Sequence, residues 1–175
     1  KIKDTIDQYA KDGYRVLILA NCIGSITKDG NLPNTARQIV AVIVLEDRIR
    51  EDAIDTIKWF KDNDVKIKII SGDNPLTVAE IAKRVGVDDT ESFINLEGLN
   101  ESQVISAANK YTVFGRVTPE QKAILIKAMK AQGNTVAMTG DGVNDILALK
   151  EADCSIAMAS GSEAVRSVSH MVLLD

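Results

Sequence analysis
Short apolar segments alternate with helix-patterned segments along most of this 175-residue chain, and that alternation leaves few folds open. Residues 14–21, 38–46, 65–70, 112–114, 135–138, 154–157 and 171–173 have the length and β-branched content of strands. Between them, 2–11, 51–61, 76–85, 101–109, 120–131, 144–150 and 162–169 read as helices. From Arg50 onward the two patterns take turns, which predicts a parallel, Rossmann-like α/β sheet with helices on both faces. Ligand-binding loops then belong at the carboxyl ends of its strands. The first 46 residues differ, since a helix and two strands joined by a polar link over 27–34 predict a small lobe of their own. The expected division is therefore 1–46 and 47–175.

Composition narrows the function classes. A chain that is 45% hydrophobic with net charge -4 can fill one sizeable core and a smaller lobe. Its longest uninterrupted apolar run, 39–45, is far short of the ~20 residues a membrane-spanning helix needs, and no N-terminal signal segment is evident. The acidic balance and 4% aromatic content speak against a nucleic-acid partner. Cys22 and Cys154 are too widely separated for a metal knuckle and fit buried thiols in a reducing compartment. His170, the single histidine, is expected to be structural or at the surface.

Three loops carry chemistry. Thr139-Gly140-Asp141-Gly142-Val143-Asn144-Asp145 closes the strand over 135–138 before a helix begins. Its glycines let the backbone turn sharply, so Asp141 and Asp145 can converge on one divalent ion, and hard oxygen ligands in small number suit Mg2+. The competing reading is an Asp-Gly hairpin, but a hairpin needs a second alternating strand and 146–150 reads as helix. Ser71-Gly72-Asp73-Asn74-Pro75 is a second strand-to-helix corner, offering a hydroxyl and free N–H groups to an anion. Taken alone, a capped turn accounts for it better, because Asp and Asn cap helices and Pro suits their first turn. In Arg116-Val117-Thr118-Pro119-Glu120-Gln121-Lys122, Thr118 and Gln121 spell a capping box with Pro119 at the first helical position. Lys122 acquires a chemical role only if it turns inward, where a nearby phosphate offsets its unfavourable place in the first turn.

These segments, in this order and at these separations, resemble the phosphorylation domain of P-type cation-transporting ATPases, within the haloacid dehalogenase superfamily. The similarity continues through Ala148-Leu149-Lys150-Glu151-Ala152-Asp153, Ile156-Ala157-Met158, Gly161 and Met171-Val172-Leu173-Leu174-Asp175, so it covers the chain from about Val40 onward. The resemblance implies roles. Asp141 ligates Mg2+, Asp145 supports the ion through water or directly, and Asn144 donates to the same phosphate. Ser71 and the Gly72 N–H hold phosphoryl oxygens, and Lys122 supplies positive charge. Asp73 and Arg116 face the nucleotide, and Arg15 resembles the arginine that meets ATP phosphates, although an arginine opening a strand is also commonly a solvated edge residue. Leu45-Glu46-Asp47-Arg48-Ile49-Arg50 resembles the hinge that joins the nucleotide-binding lobe to the phosphorylation domain, with its prolines missing, and Asp47 is grouped with the nucleotide-side residues.

The family's nucleophile is the aspartate of an Asp-Lys-Thr-Gly-Thr run, which does not occur in these residues. The expectation is that the central nucleophile-bearing strand lies outside this chain, that two neighbouring strands lack a partner, and that the chain alone is inactive. Implied partners are ATP and the rest of a parent protein: that strand, an actuator domain and membrane helices. The parent is expected in a bacterial cell membrane with this portion facing the cytoplasm. The variant hinge, Ser71 and the lack of Cys or His clusters lean toward Ca2+ or Mg2+ as the transported cation. Two other readings share the Lys and Asp constellation: a soluble superfamily phosphatase, and an inactive domain that binds Mg2+ or nucleotide and regulates a partner. What precedes Lys1 separates them.

Overall fold
The computed structural model describes residues 2–22, 37–46 and 48–174. Two strands and a helix come first: α1 (Ile2–Lys11), β1 (Arg15–Cys22) and β2 (Arg37–Leu45). Alternation follows, as α2 (Ala53–Asp62), β3 (Ile69–Ile70), α3 (Pro75–Arg84), β4 (Phe93–Asn95), α4 (Glu101–Ala107) and β5 (Val113–Gly115). The remainder is α5 (Pro119–Ala131), β6 (Ala137–Gly140), a 3-10 turn (Val143–Asp145), α6 (Ile146–Glu151), β7 (Cys154–Met158), α7 (Glu163–Val168) and β8 (Met171–Leu173).

β1 and β2 form an antiparallel ribbon running from Arg15 opposite Leu45 to Asn21 opposite Gln38, with a bulge between Leu19 and Ala20. Successive strand residues point to opposite faces, and Leu17 and Ile18 are 48% and 47% exposed, so the described residues cover neither face of the ribbon there. The turn that leads into β1 is tied to α3: Thr77 Oγ1 donates to Tyr14 O at 3.2 Å, and Arg84 reaches Asp12 O.

The parallel part is divided. β5 pairs with β3 on one side and β4 on the other, and β7 pairs likewise with β6 and β8. Among the described residues β3 and β6, whose carboxyl ends carry two of the three loops, therefore pair on one side only. Helices cover both faces, and β5 shows why. Val113 packs with Ala79, Ala82 and Val87 on the α3 face, while the next residue, Phe114, packs with Leu96, Val104, Leu125, Ile126 and Met129 on the α4 and α5 face. Burying a side chain such as Phe114 stabilises by about 1.5–3 kcal/mol, so this short strand anchors both layers. In a third cluster Leu149 of α6 and Val165 of α7 both pack with Ala157 of β7.

The structure departs from the sequence expectation in two places. β4 was not anticipated, because its two apolar residues, Phe93 and Ile94, follow the polar run over 88–92 and show no strand alternation, and pairing with β5 is what makes it a strand. Residues 65–68 alternate like a strand, yet only Ile69 and Ile70 enter the ladder, since β5 begins opposite them. The third loop meets its predicted form: the side chains of Thr118 and Gln121 make both bonds of a capping box, with Pro119 opening the helix.

Candidate active site
Each loop is held by its neighbours more than by itself. At the end of β3, Ser71 N donates to Phe114 O at 2.9 Å, and Val117 N donates to Ser71 O at 3.1 Å. Arg116 N donates to Asp73 O at 2.9 Å, so the Ser71 and Arg116 loops are zipped along their main chains. The Ser71 hydroxyl accepts from Asp73 N at 3.1 Å. Asn74 caps α3 by accepting from Leu76 N, and Gly72 is exposed with open space around it. Arg116 has φ 55, a left-handed conformation that costs a non-glycine residue about 1 kcal/mol or more. Strain of that kind concentrates at functional loops.

Lys122 turns inward. Its Nζ lies 2.6 Å from Asp145 Oδ1, and the two side chains are only 13% and 9% exposed. The other Asp145 oxygen accepts from Gly142 N at 3.2 Å. A Cβ on Gly140 would sit 2.7 Å from Asp145 Cβ, so only glycine lets the carboxylate fold back over the strand end. Both Asp145 oxygens are thus engaged by protein, whereas Asp141 and Asn144 are exposed and their side chains make no hydrogen bond or ion pair among the described residues. Asp141 is pinned through its backbone, its carbonyl accepting from Ser162 N at 3.0 Å.

Among the described residues no group of three or more His, Cys, Asp or Glu side chains converges. A divalent ion here would rely on few protein ligands, which fits Mg2+, an ion that keeps several waters and shares its shell with substrate phosphate. The exposed Asp141 carboxylate fits such an ion. Asp145, as placed, fits the supporting role through water better than direct ligation, because both its oxygens are occupied.

On the far side of the Ser71 loop, Arg15 and Asp73 form an ion pair at 2.5 Å, with both side chains nearly half exposed. The structure therefore brings together two nucleotide-side candidates from the two halves of the chain. Asp47 lies outside the described residues. Arg116 lines a cleft of about 440 Å³ with Asn74, Pro75, Leu76, Phe93 and Asn95. The β4 contribution to that cleft was invisible in the sequence for the same reason that β4 was.

A protein-family model described as haloacid dehalogenase-like hydrolase matches residues 3–153. The chain belongs to this family. Its curated relatives include a probable cation-transporting ATPase, exp7, of Streptococcus pneumoniae, 44% identical over 165 residues, or 93% of this chain and 21% of the relative. The calcium-transporting ATPase CtpE of Mycobacterium tuberculosis is 41% identical over 97% of this chain and 21% of its own length. The magnesium-transporting ATPase, P-type 1, of Salmonella typhimurium is 32% identical over 97% of this chain and 19% of its own. The chain thus spans about a fifth of the length of these relatives. No helix among the described residues is long and apolar enough to cross a membrane.

Proposed function
We propose that this chain is the phosphoryl-handling part of an ATP-driven membrane cation pump that forms and hydrolyses an aspartyl-phosphate. Residues 47–175 would be the phosphorylation domain and 1–46 the end of the nucleotide-binding lobe. One observation carries the reading: Lys122 is turned inward onto Asp145, in the loop where Asp141 keeps a carboxylate without a partner among the described residues. The similarity to cation-transporting ATPases supports it.

The chemistry follows from the donors. An ammonium has three N–H bonds; Asp145 takes one from Lys122, and the others would be available to phosphoryl oxygens. In phosphoryl transfer negative charge spreads over the equatorial oxygens, and a cation fixed beforehand in a site shielded from water stabilises that charge without reorganising. Ser71, the Gly72 N–H and Asn144 would hold the remaining oxygens, and Asp141 would ligate Mg2+. When bound, the ion supplies further charge neutralisation at the phosphoryl group. Asp73, Arg116, Arg15 and Asp47 would face the nucleotide. The nucleophile would come from another part of the parent, entering beside β3 and β6, and the isolated chain would be inactive. The parent would sit in a bacterial cell membrane with this part in the cytoplasm, and Ca2+ or Mg2+ is the favoured cargo.

The test uses the complete gene product in membrane vesicles with radiolabelled ATP and Mg2+. An acid-stable, hydroxylamine-labile phosphoprotein should form. Lys122→Met and Asp141→Asn should each lower its rate of formation by about 100-fold or more. Hydrolysis of small phosphomonoesters with no phosphoprotein from ATP would replace this reading with a soluble phosphatase.

A further inference from the structure
The Asp141 loop is held at both ends, at Gly140 by the ladder with β7 and at Gly142 by its bonds with Asp145, but the Asp141 side chain has no bond of its own within it. Asp141 lies between Gly140 and Gly142, the residues with most backbone freedom, and its side chain bonds to nothing among the described residues. Its direction is set from outside, by the segment that leaves β7. There Ala159 N donates to Leu173 O at 2.9 Å, and Gly161 N closes a turn on Met158 O at 2.9 Å. Arg166 Nη1 donates to Ala159 O at 2.9 Å, so the turn is also held from α7. The next N–H, that of Ser162, is the one that reaches Asp141 O.

Gly161 makes that reach possible. A Cβ there would lie 2.9 Å from Asp141 O, 3.0 Å from Met158 O and 3.1 Å from Asp141 Cα. All three are main-chain atoms, which cannot swing aside as a long side chain does. The glycine is required by proximity, since two stretches of backbone touch at that point.

We propose that Gly161 and the backbone N–H of Ser162 are positioning residues for Asp141, so that the affinity of the site for Mg2+ is set in part by the turn after β7. The proposal rests on the functional reading of Asp141 given above. Groups that orient a metal ligand without touching the metal typically change its affinity 10- to 100-fold when altered.

Ser162 allows the bond to be removed at a compatible φ. Its φ of -62 is the value proline requires, so Ser162→Pro deletes the N–H without strain in φ, while its ring Cδ presses on Asp141 O in place of the N–H and the hydroxyl that caps α7 is lost. Ser162→Ala loses the cap alone. The measurement is the Mg2+ dependence of phosphoprotein formation in the complete gene product, with thermal unfolding recorded in parallel. Gly161→Ala and Ser162→Pro should raise the half-saturating Mg2+ concentration by about tenfold or more, with activity recovering at high Mg2+. Ser162→Ala should leave that midpoint in place. A purely structural role would lower the amount of active protein in all three variants without moving the midpoint, and that result overturns the proposal. If Asp141→Asn leaves phosphoprotein formation intact, the reading of Asp141 fails and the proposal falls with it. If Gly161→Ala and Ser162→Pro do not fold, hydrogen exchange of the unaltered protein decides: the Ser162 amide should be protected and become more so on adding Mg2+. Exchange indifferent to Mg2+ overturns the idea.

Discussion

Lys122 donates to Asp145 Oδ1 across 2.6 Å, joining the first turn of α5 to the loop after β6. A cation in the first turn of a helix opposes the helix dipole, and a nearly buried carboxylate compensates it. Removing one partner strands the other. Asp145→Ala should cost about 3–5 kcal/mol in chemical denaturation, and Lys122→Met with Asp145→Leu should regain most of that stability. Under the proposed function, phosphoryl transfer by the complete gene product should be lost with either set of substitutions. If the double variant recovers activity as well as stability, Lys122 is structural only. Gly140→Ala should weaken the same pair by pressing on Asp145, at about 1–3 kcal/mol.

Asp153 offers a pH handle. Its carboxyl is held below the usual carboxylate range first by the Val136 N–H and then by Lys130, which lies 2.9 Å from Oδ1. A carboxylate with a depressed folded-state pKa contributes stability that is present above its unfolded value and lost as pH falls through the folded one. Between about pH 4 and the lower folded-state value, the melting temperature of the unaltered protein should therefore fall more steeply than that of Asp153→Asn. Parallel acid limbs in the two melting curves would remove Asp153 from the account.

His170 is a structural residue. Its Nδ1 accepts from Ser155 N at 3.0 Å and lies 3.0 Å from Ser155 Oγ, and that hydroxyl accepts from His170 N. The ring nitrogen takes the place of a strand carbonyl just before β7 and β8 begin to pair at Ile156 and Met171. Because Ser155 is fully buried, His170→Ala should leave its N–H without a partner and cost about 1–3 kcal/mol. His170→Asn, whose side-chain oxygen can stand near Nδ1, should recover part of the loss in thermal unfolding.

The Arg15 and Asp73 pair is half exposed, so its effect on folding should be small. Arg15→Ala should change stability by less than about 1 kcal/mol and lose even that at high salt. Under the proposed function, the same substitution should weaken ATP binding to the complete gene product, measured by calorimetry. Unchanged ATP affinity would leave Arg15 as an edge residue held by Asp73.

Local chemistry was readable from the chain because its determinants lie a few residues apart. The capping box needs only Thr118 and Gln121 at the right spacing, and α1 occupies the span its pattern predicts. Alternation after Arg50 was sufficient for a parallel sheet covered on both faces, since period and connection length constrain it jointly. The similarity to cation-transporting ATPases was likewise carried by short motifs. Other features depended on partners distant in sequence. Phe93 and Ile94 become a strand because β5 lies beside them, and residues 65–68 stay out of the ladder because β5 does not extend that far. Nothing near Lys122 dictates that it turns inward; Asp145, on another element, does so. Gly161 belongs to the family resemblance, but nothing near it in the sequence dictates that the backbone of Asp141 packs against it. The sequence by itself determined most of the elements, the capping box at Thr118 and the family, which depend on local conformational preference and motif order. Only the tertiary structure decided the direction of Lys122, the division of the sheet and the anchoring of Asp141, because each requires groups that meet only when the chain has folded.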